Sequence, residues 1–396
     1  MLDGNAGHWQ DADAGLEAKV HTVTGERSRE RTRRAIRPFV EQDLAQIVEL
    51  YLKVFPQGRD YSRNKLRDHF SRVLLQNPWY DASVPSLVYE KEGRLLGFLG
   101  VVVRPMLFGS KVVRVAASNH FMVDPSARST MAGLELLSNL FAGAQDLTIA
   151  EAGDDSRKLW EVLGGRTLFG RSLFWTRPLR PGRYCLYQLS RKHVPLAWSG
   201  KPISQLIDVL SARIGPFRLF QGPELFEKEL SDKDLLTCLS QLPASTSLRP
   251  IYDEYSLNWL VAVLREKKTL GNLRKVAVYG SKHELIGWYI YYLHAHAVST
   301  VLHINAAPGR LDQVFRHLCR HAWQGDSIAL TGRLEPQFTK EFSQNLCLLH
   351  WRSWMLAHSR NPSLLAAIDS GNAFFTALEG EWWISIEGEQ PGGPAA

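Results

Sequence analysis

"FMVDPSARSTMAGLELL", residues 121–137, passes from an apolar, strand-like run through a polar turn of small residues straight into a helical pattern. Phe121, Met122 and Val123 end the strand, Asp124 and Pro125 break it, and Leu134, Leu137 and Phe141 recur on one face of the helix that follows. A helix opening so abruptly presents unpaired backbone N–H groups and about half a positive charge at the end of a strand. Small residues there let a phosphate approach closely enough to be held. Arg128 adds a cation, Ser129 and Thr130 add hydroxyl donors, and beyond Met131 the residues Ala132 and Gly133 keep the first helical turn thin.

The flanks predict an α/β unit. Upstream, "AIRPFVEQDLAQIVELYLKVFP" (35–56) reads as a short strand around Ile36, then a helix with Leu44, Ile47, Val48, Tyr51 and Phe55 in phase until Pro56. "PSLVYEKEGRLLGFLGVVV" (85–103) and "KVVRVAASNHFMV" (111–123) are strand patterns punctuated by turn residues. Downstream, "DLTIAEAG" (146–153) is a strand. "DDSRKLWEVLGG" (154–165) is a short helix, with Asp155 or Ser156 at its N-cap and Gly164 or Gly165 at its end. "RTLFGRSLFWTRPL" (166–179) closes the unit as a pair of strands.

The sequence also repeats itself. "VYEKEGRLLGFLGVV" (88–102) aligns without gaps on "VYGSKHELIGWYIYY" (278–292), and "HFMVDPSAR" (120–128) is answered by "HINAAPGR" (303–310) before another helical pattern, "LDQVFRHLCRHAW" (311–323). Two matches in the same order imply a duplicated domain. The second copy places Asp312 at its helix start, a negative charge that disfavours a pyrophosphate.

Val123-Asp124-Pro125 followed by Arg128-Ser129-Thr130-Met131-Ala132-Gly133 resembles the cofactor-binding motif of the GNAT superfamily of acyl-CoA-dependent N-acyltransferases. That motif is a strand ending in hydrophobic-Val-x-Pro, then Arg/Gln-x-x-Gly-x-Gly/Ala. Met131 stands where the first glycine is usual. "DDSRKLWEVLGGR" resembles the family's second motif, with Trp160 in the tyrosine place. An indole cannot protonate a departing thiolate as a phenol can. The resemblance spans about residues 35–180, and the second copy looks like a degenerate domain of the same kind.

What the resemblance implies is a mixed α/β fold of two GNAT-like domains, each a central mixed sheet flanked by helices. Residues 1–34 are expected as a disordered basic tail, 35–180 as the acyltransferase domain, 181–250 as a connecting segment and 251–396 as the degenerate second domain. Acetyl-CoA or another acyl-CoA would be the cosubstrate. Its pyrophosphate would lie on residues 128–133 and its pantetheine along the backbone of Met122 and Val123, where the strand splays from its neighbour. The acceptor would be an amine of a small molecule or a sugar, with the second domain shaping its site. Transfer needs a base near the splay. Glu151 is the first candidate and His120 the second, although the one can cap the following helix and the other can be a satisfied core histidine.

Other features limit the alternatives. The chain has 396 residues, 45% hydrophobic and 22% charged, which fits two globular domains. Its net charge of +7 concentrates in "ERSRERTRRAIRP" (26–38), a run without interleaved aromatics that reads as a solvated tail rather than a nucleic-acid surface. No apolar window reaches the roughly 18 residues of a membrane span. Cys185, Cys238, Cys319 and Cys347 form no paired motif and read as buried thiols in a reducing, cytoplasmic setting. His294, His296 and His303, and His317 with His321, lack the matched ligands a zinc site wants, so no metal is expected. A Fem-like aminoacyl transferase and a non-catalytic interaction protein on a GNAT scaffold are the alternative readings.

Overall fold

The first half of the chain runs β1 (Arg34–Pro38), α1 (Leu44–Val54), α2 (Arg63–Leu74), β2 (Leu87–Lys91), β3 (Arg94–Phe108), β4 (Lys111–Val123), α3 (Ala132–Phe141), β5 (Leu147–Ala152), α4 (Asp154–Val162), β6 (Arg166–Thr167), β7 (Leu173–Pro178) and α5 (Pro181–Arg191). The second runs β8 (Phe226–Glu229), α6 (Asp232–Ser240), β9 (Leu248–Pro250), α7 (Glu254–Glu266), β10 (Asn272–Tyr279), β11 (Leu285–Leu293), β12 (Val298–Ala306), α8 (Leu311–Gln324), β13 (Ala329–Arg333), α9 (Thr339–Gln344), β14 (Leu348–Trp351), β15 (Trp354–His358) and α10 (Pro362–Asp369). The structure, a computed structural model, describes residues 34–55, 61–127, 131–191, 204, 206–208, 225–240, 246–380 and 383–384. The basic stretch 1–33 and most of 192–224 lie outside the described residues.

Two mixed sheets carry the fold. The first, eight-stranded, runs β1-β2-β3-β4-β5-β15-β6, with β9 added on the far end of β3; the second, seven-stranded, runs β8-β10-β11-β12-β13-β7-β14. The two orders are the same once β15 and β7 are recognised as having changed places. β6 and β7, expected as a pair, are both strands but lie in different sheets, and the strand after β5 in the first sheet comes from the other end of the chain. Phe226–Glu229 and Asp232–Ser240, within the stretch expected to connect, already belong to the second sheet and its covering helices.

The repeat's invariant glycine has a packing cause. A Cβ on Gly97 would sit 2.9 Å from Leu136 Cδ1 of α3, and one on Gly287 would sit 2.6 Å from Val314 Cγ2 of α8. In each copy the missing side chain lets the crossover helix lie close against the second long strand. α2, whose polar stretch "RNKLRDHFSRVL" gave no sequence expectation, buries Leu66, Phe70, Val73 and Leu74 at helical spacing, and Ser62 caps it by accepting from Lys65 N at 3.2 Å.

Three apolar cores result. α3 and α4 cover the outer face of the first sheet, through Leu136, Leu137, Leu140 and Trp160. α8 covers the outer face of the second through Val314, Phe315 and Leu318. Between the sheets, one continuous core gathers α1, α2, α6 and α7 with Phe98, Ala117 and Ile149 from one side and Trp288, Ile290 and Leu302 from the other. Burying each such aromatic or aliphatic side chain contributes about 1.5–3 kcal/mol, and this shared core joins the two halves.

Candidate active site

β4 and β5 pair in parallel at Val115↔Leu147, Ala116↔Thr148 and Ala117↔Ile149, and there the ladder stops. Both strands continue, to Val123 and Ala152, but β5 stays bonded to β15 on its other side while β4 follows β3. A bulge drives them apart. Gly100 faces Asn119 and Phe98 faces Met122, so His120 and Phe121 together oppose Leu99. His120 sits at φ 44°, a left-handed conformation that costs a non-glycine residue about 1–3 kcal/mol. Asn119 Oδ1 meets His120 Nδ1 at 2.7 Å, and Asn119 Nδ2 donates to Ala117 O at 3.3 Å, bracing the bend. The splay at Met122 and Val123 is therefore built by the residues just upstream of them.

The first turn of α3 lies at the open end of this parting. A Cβ on Gly133 would meet Phe121 Cζ at 3.2 Å and Val123 Cγ2 at 3.7 Å, which measures how close the helix start comes to the end of β4. Ala132 is buried and Met131 is 55% exposed. Arg128, Ser129 and Thr130 lie outside the described residues. The turn leading to them is pinned, since Asp124 accepts from Ser126 N at 2.9 Å and Ser126 Oγ at 2.7 Å and pairs with Lys53 at 3.1 Å. Burial raises the Asp124 carboxyl, but the Ser126 bonds and Lys53 outweigh it and hold its pKa below the usual value.

The two candidate bases differ in environment. His120 packs against Phe70, His69 and Tyr51, with ring centroids 5.1, 6.0 and 6.2 Å away. Burial pushes its pKa down to about 3, and Lys267 adds repulsion, so its imidazole is neutral and a weak base near pH 7. Glu151 faces the central core from β5 and does not cap α4, whose N-cap is Gly153 rather than Asp155 or Ser156. Its carboxylate accepts from the Arg333 guanidinium and from Ser353 Oγ. Arg333 ends β13 of the other sheet, and Ser353 precedes the exchanged strand β15. Neither was legible as a site residue, because each lies about two hundred positions along the chain from its partner.

Trp160 is 1% exposed and edge-on to Phe141 at 4.9 Å, at the far end of α3 from Gly133; Leu159 is the residue of α4 that approaches Gly133. It is a core residue of the two-helix layer. His294 and His296 fall in the turn after β11 rather than on a strand, apart from His303 on β12. His317 and His321 instead meet Tyr289 and Tyr291 hydroxyls at 3.1 and 2.6 Å. Among the described residues no group of three or more His, Cys, Asp or Glu is placed to hold a metal. Of the cysteines, all free, Cys238 and Cys319 are buried but Cys185 is exposed.

The second sheet has a parting of its own. β12 and β13 pair from Val298↔Ala329 to Val301↔Gly332 and then diverge, beside a register shift opposite Ile290 and Tyr291. Asp312 lies in the first turn of α8, bonded to Arg316 at 2.9 Å and Asn345 at 2.8 Å. That carboxylate occupies the place where a helix N-terminus would otherwise favour an anion.

No family model matches the sequence, and no curated protein matches it closely. Solved structures do match the fold. A GCN5-related N-acetyltransferase from Anabaena variabilis superposes with a TM-score of 0.55 at 13% identity, over 83% of this chain and 74% of that one. A conserved protein of unknown function from Enterococcus faecalis, described as a "Probable N-Acyltransferase", gives 0.54 at 11% identity over 82% and 72%. A GCN5-related N-acetyltransferase from Kribbella flavida gives 0.50 at 11% over 82% and 70%. The fold is thus GNAT-like, a mixed α/β arrangement of two sheets flanked by helices. No helix among the described residues is long and apolar enough to cross a membrane.

Proposed function

We propose that the chain is an acyl-CoA-dependent N-acyltransferase working at the parting of β4 and β5. The observation that carries this reading is that parting itself: it opens beyond Ala117↔Ile149, with the thin first turn of α3 at its mouth and the Glu151 carboxylate on the facing strand. In this reading the pantetheine of acetyl-CoA, or of another acyl-CoA, pairs with backbone at Met122 and Val123. Its pyrophosphate lies on Arg128, Ser129, Thr130, Met131, Ala132 and Gly133, where helix N–H groups and a guanidinium favour negative charge. Glu151 takes the proton from a small-molecule amine, and His120, as a neutral buried imidazole, shapes the bulge rather than moving protons. The second half, with Asp312 at its helix start, holds no CoA and walls the acceptor side. A cytoplasmic protein with no metal and no nucleic-acid partner completes the proposal.

Calorimetry with acetyl-CoA on the full chain tests it. Binding is expected, Gly133→Glu is expected to abolish it in a protein that still melts cooperatively, and Asp312→Ala is expected to leave it unchanged. No binding to the unaltered protein, or equal losses from both changes, would refute the assignment.

A further inference from the structure

Where β12 parts from β13, two adjoining hollows of about 300 and 280 Å3, open space included, share Val301, Arg333 and Ala377 in their walls. One hollow carries Thr300, Thr331 and Arg352, and the other carries His303 and Glu335. Arg333 and Arg352 flank one ring, with guanidinium carbons 5.8 and 5.6 Å from the Phe174 centroid.

Two buried groups in the walls of these hollows carry polar atoms without a hydrogen-bond partner among the described residues. His303 is 2% exposed, and neither ring nitrogen has a hydrogen-bond partner among the described residues; the Arg333 side chain is 6% exposed, and its Nε has none either. Buried polar atoms in native proteins are nearly always satisfied, so such a pair along one crevice points to something that satisfies it. Glu335 is held by Arg171 at 3.1 Å and also interacts electrostatically with Arg333.

We infer that this crevice receives a carboxylate of the acceptor, so that the amine acylated at the first parting belongs to a molecule that also bears a carboxylate. The inference rests on the acyltransferase reading above. A guanidinium fork matches the two oxygens of a flat carboxylate. Arg333 touches both the crevice and Glu151. An incoming carboxylate therefore shares the guanidinium that now holds Glu151, which loosens that hold and leaves the Glu151 oxygens to accept the proton of the amine. The acceptor's own anion thus prepares the base.

The test uses the full-length protein with propionate as the probe, followed by calorimetry and by ligand-observed NMR. Propionate is expected to bind, and Arg352→Gln to weaken it roughly tenfold or more, the size of one charge-assisted hydrogen bond, with an unchanged melting temperature. Inorganic phosphate is expected not to displace it. Absence of propionate binding, equal affinity in the variant, or displacement by phosphate at similar concentration overturns the inference. Acetyl-CoA titrated into the same samples separates the two readings. If acetyl-CoA binds and propionate does not, only the carboxylate crevice fails; if acetyl-CoA does not bind, the acyltransferase reading itself fails.

Discussion

Glu151 and Arg333 occupy the same position in the two copies, and they bond to each other. β5 enters its parallel ladder at Leu147 and β13 enters its own at Ala329; four residues further on stand Glu151 and Arg333. Their neighbours on the exchanged strands correspond as well, Met355 beside Glu151 and Phe174 beside Arg333. One copy contributes an anion where the other contributes a cation, so the two copies differ in charge at this position. The histidines repeat the theme. His120 stands three residues before Val123, the partner of Gly97, and His303 three before Ala306, the partner of Gly287.

The Glu151–Arg333 pair has side chains only 2% and 6% exposed. Removing one partner strands a buried charge, so Arg333→Met is expected to cost about 3–5 kcal/mol. Glu151→Met added to it is expected to recover most of that loss, because an apolar pair replaces the ion pair at similar volume. Urea unfolding of the three proteins reads the difference. A double variant no more stable than Arg333→Met would show that the pair is not what holds this junction.

Glu151→Gln keeps the shape and loses the basicity. With acetyl-CoA saturating, thiol release in the presence of a reactive amine is expected to fall on the order of 10²- to 10⁴-fold, while calorimetry finds acetyl-CoA affinity unchanged. His120→Asn, which tolerates the left-handed backbone, is expected to change turnover less than about tenfold, since proton transfer by a group with so low a pKa contributes little. The reverse ranking would make His120 the base.

Trp160→Tyr is expected to lower the melting temperature and leave turnover per folded molecule unchanged. The indole fills the space against Phe141, and a smaller ring there leaves a cavity worth about 1–3 kcal/mol. A gain in turnover instead would place this residue beside the leaving thiolate.

Acid should destabilise the fold through its buried histidines. Burial holds His303 at about 3, against an ordinary 6.5, and His120 is lowered to the same value. The folded state therefore binds fewer protons than the unfolded chain below 6.5. Stability from each is fully present above that pH and is lost as pH falls toward 3. His303→Phe removes one such group while keeping the stack on Trp288, whose centroid is 4.1 Å away. Relative to this variant, the unaltered protein is expected to lose about 2 kcal/mol between about pH 7.5 and about pH 5. Urea midpoints at the two pH values check it, and equal losses in both proteins would refute the assignment to His303.

Much of the first parting is legible in the residues alone. The turn at Asp124 and Pro125, the small residues of the α3 start and the alternation of "KVVRVAASNHFMV" are local signals, and local signals survive in sequence because propensity and periodicity act over a few residues. The repeated glycine is visible too, since its cause, a helix lying close on a strand, recurs in both copies. α2 is not legible in this way because its charged residues outnumber its apolar ones, although those four sit in helical phase.

By itself the sequence determined the strands and helices around the first parting, which of their faces are apolar, and that one plan was used twice. Only the tertiary structure decided which strand lies beside which. Backbone hydrogen bonds carry no address, so the sequence of β7 or β15 alone does not say which sheet it joins. In the folded chain the ends of β5 and β13 come to one place between the sheets. There a carboxylate and a guanidinium from opposite halves, each ordinary in its own segment, became a single buried pair.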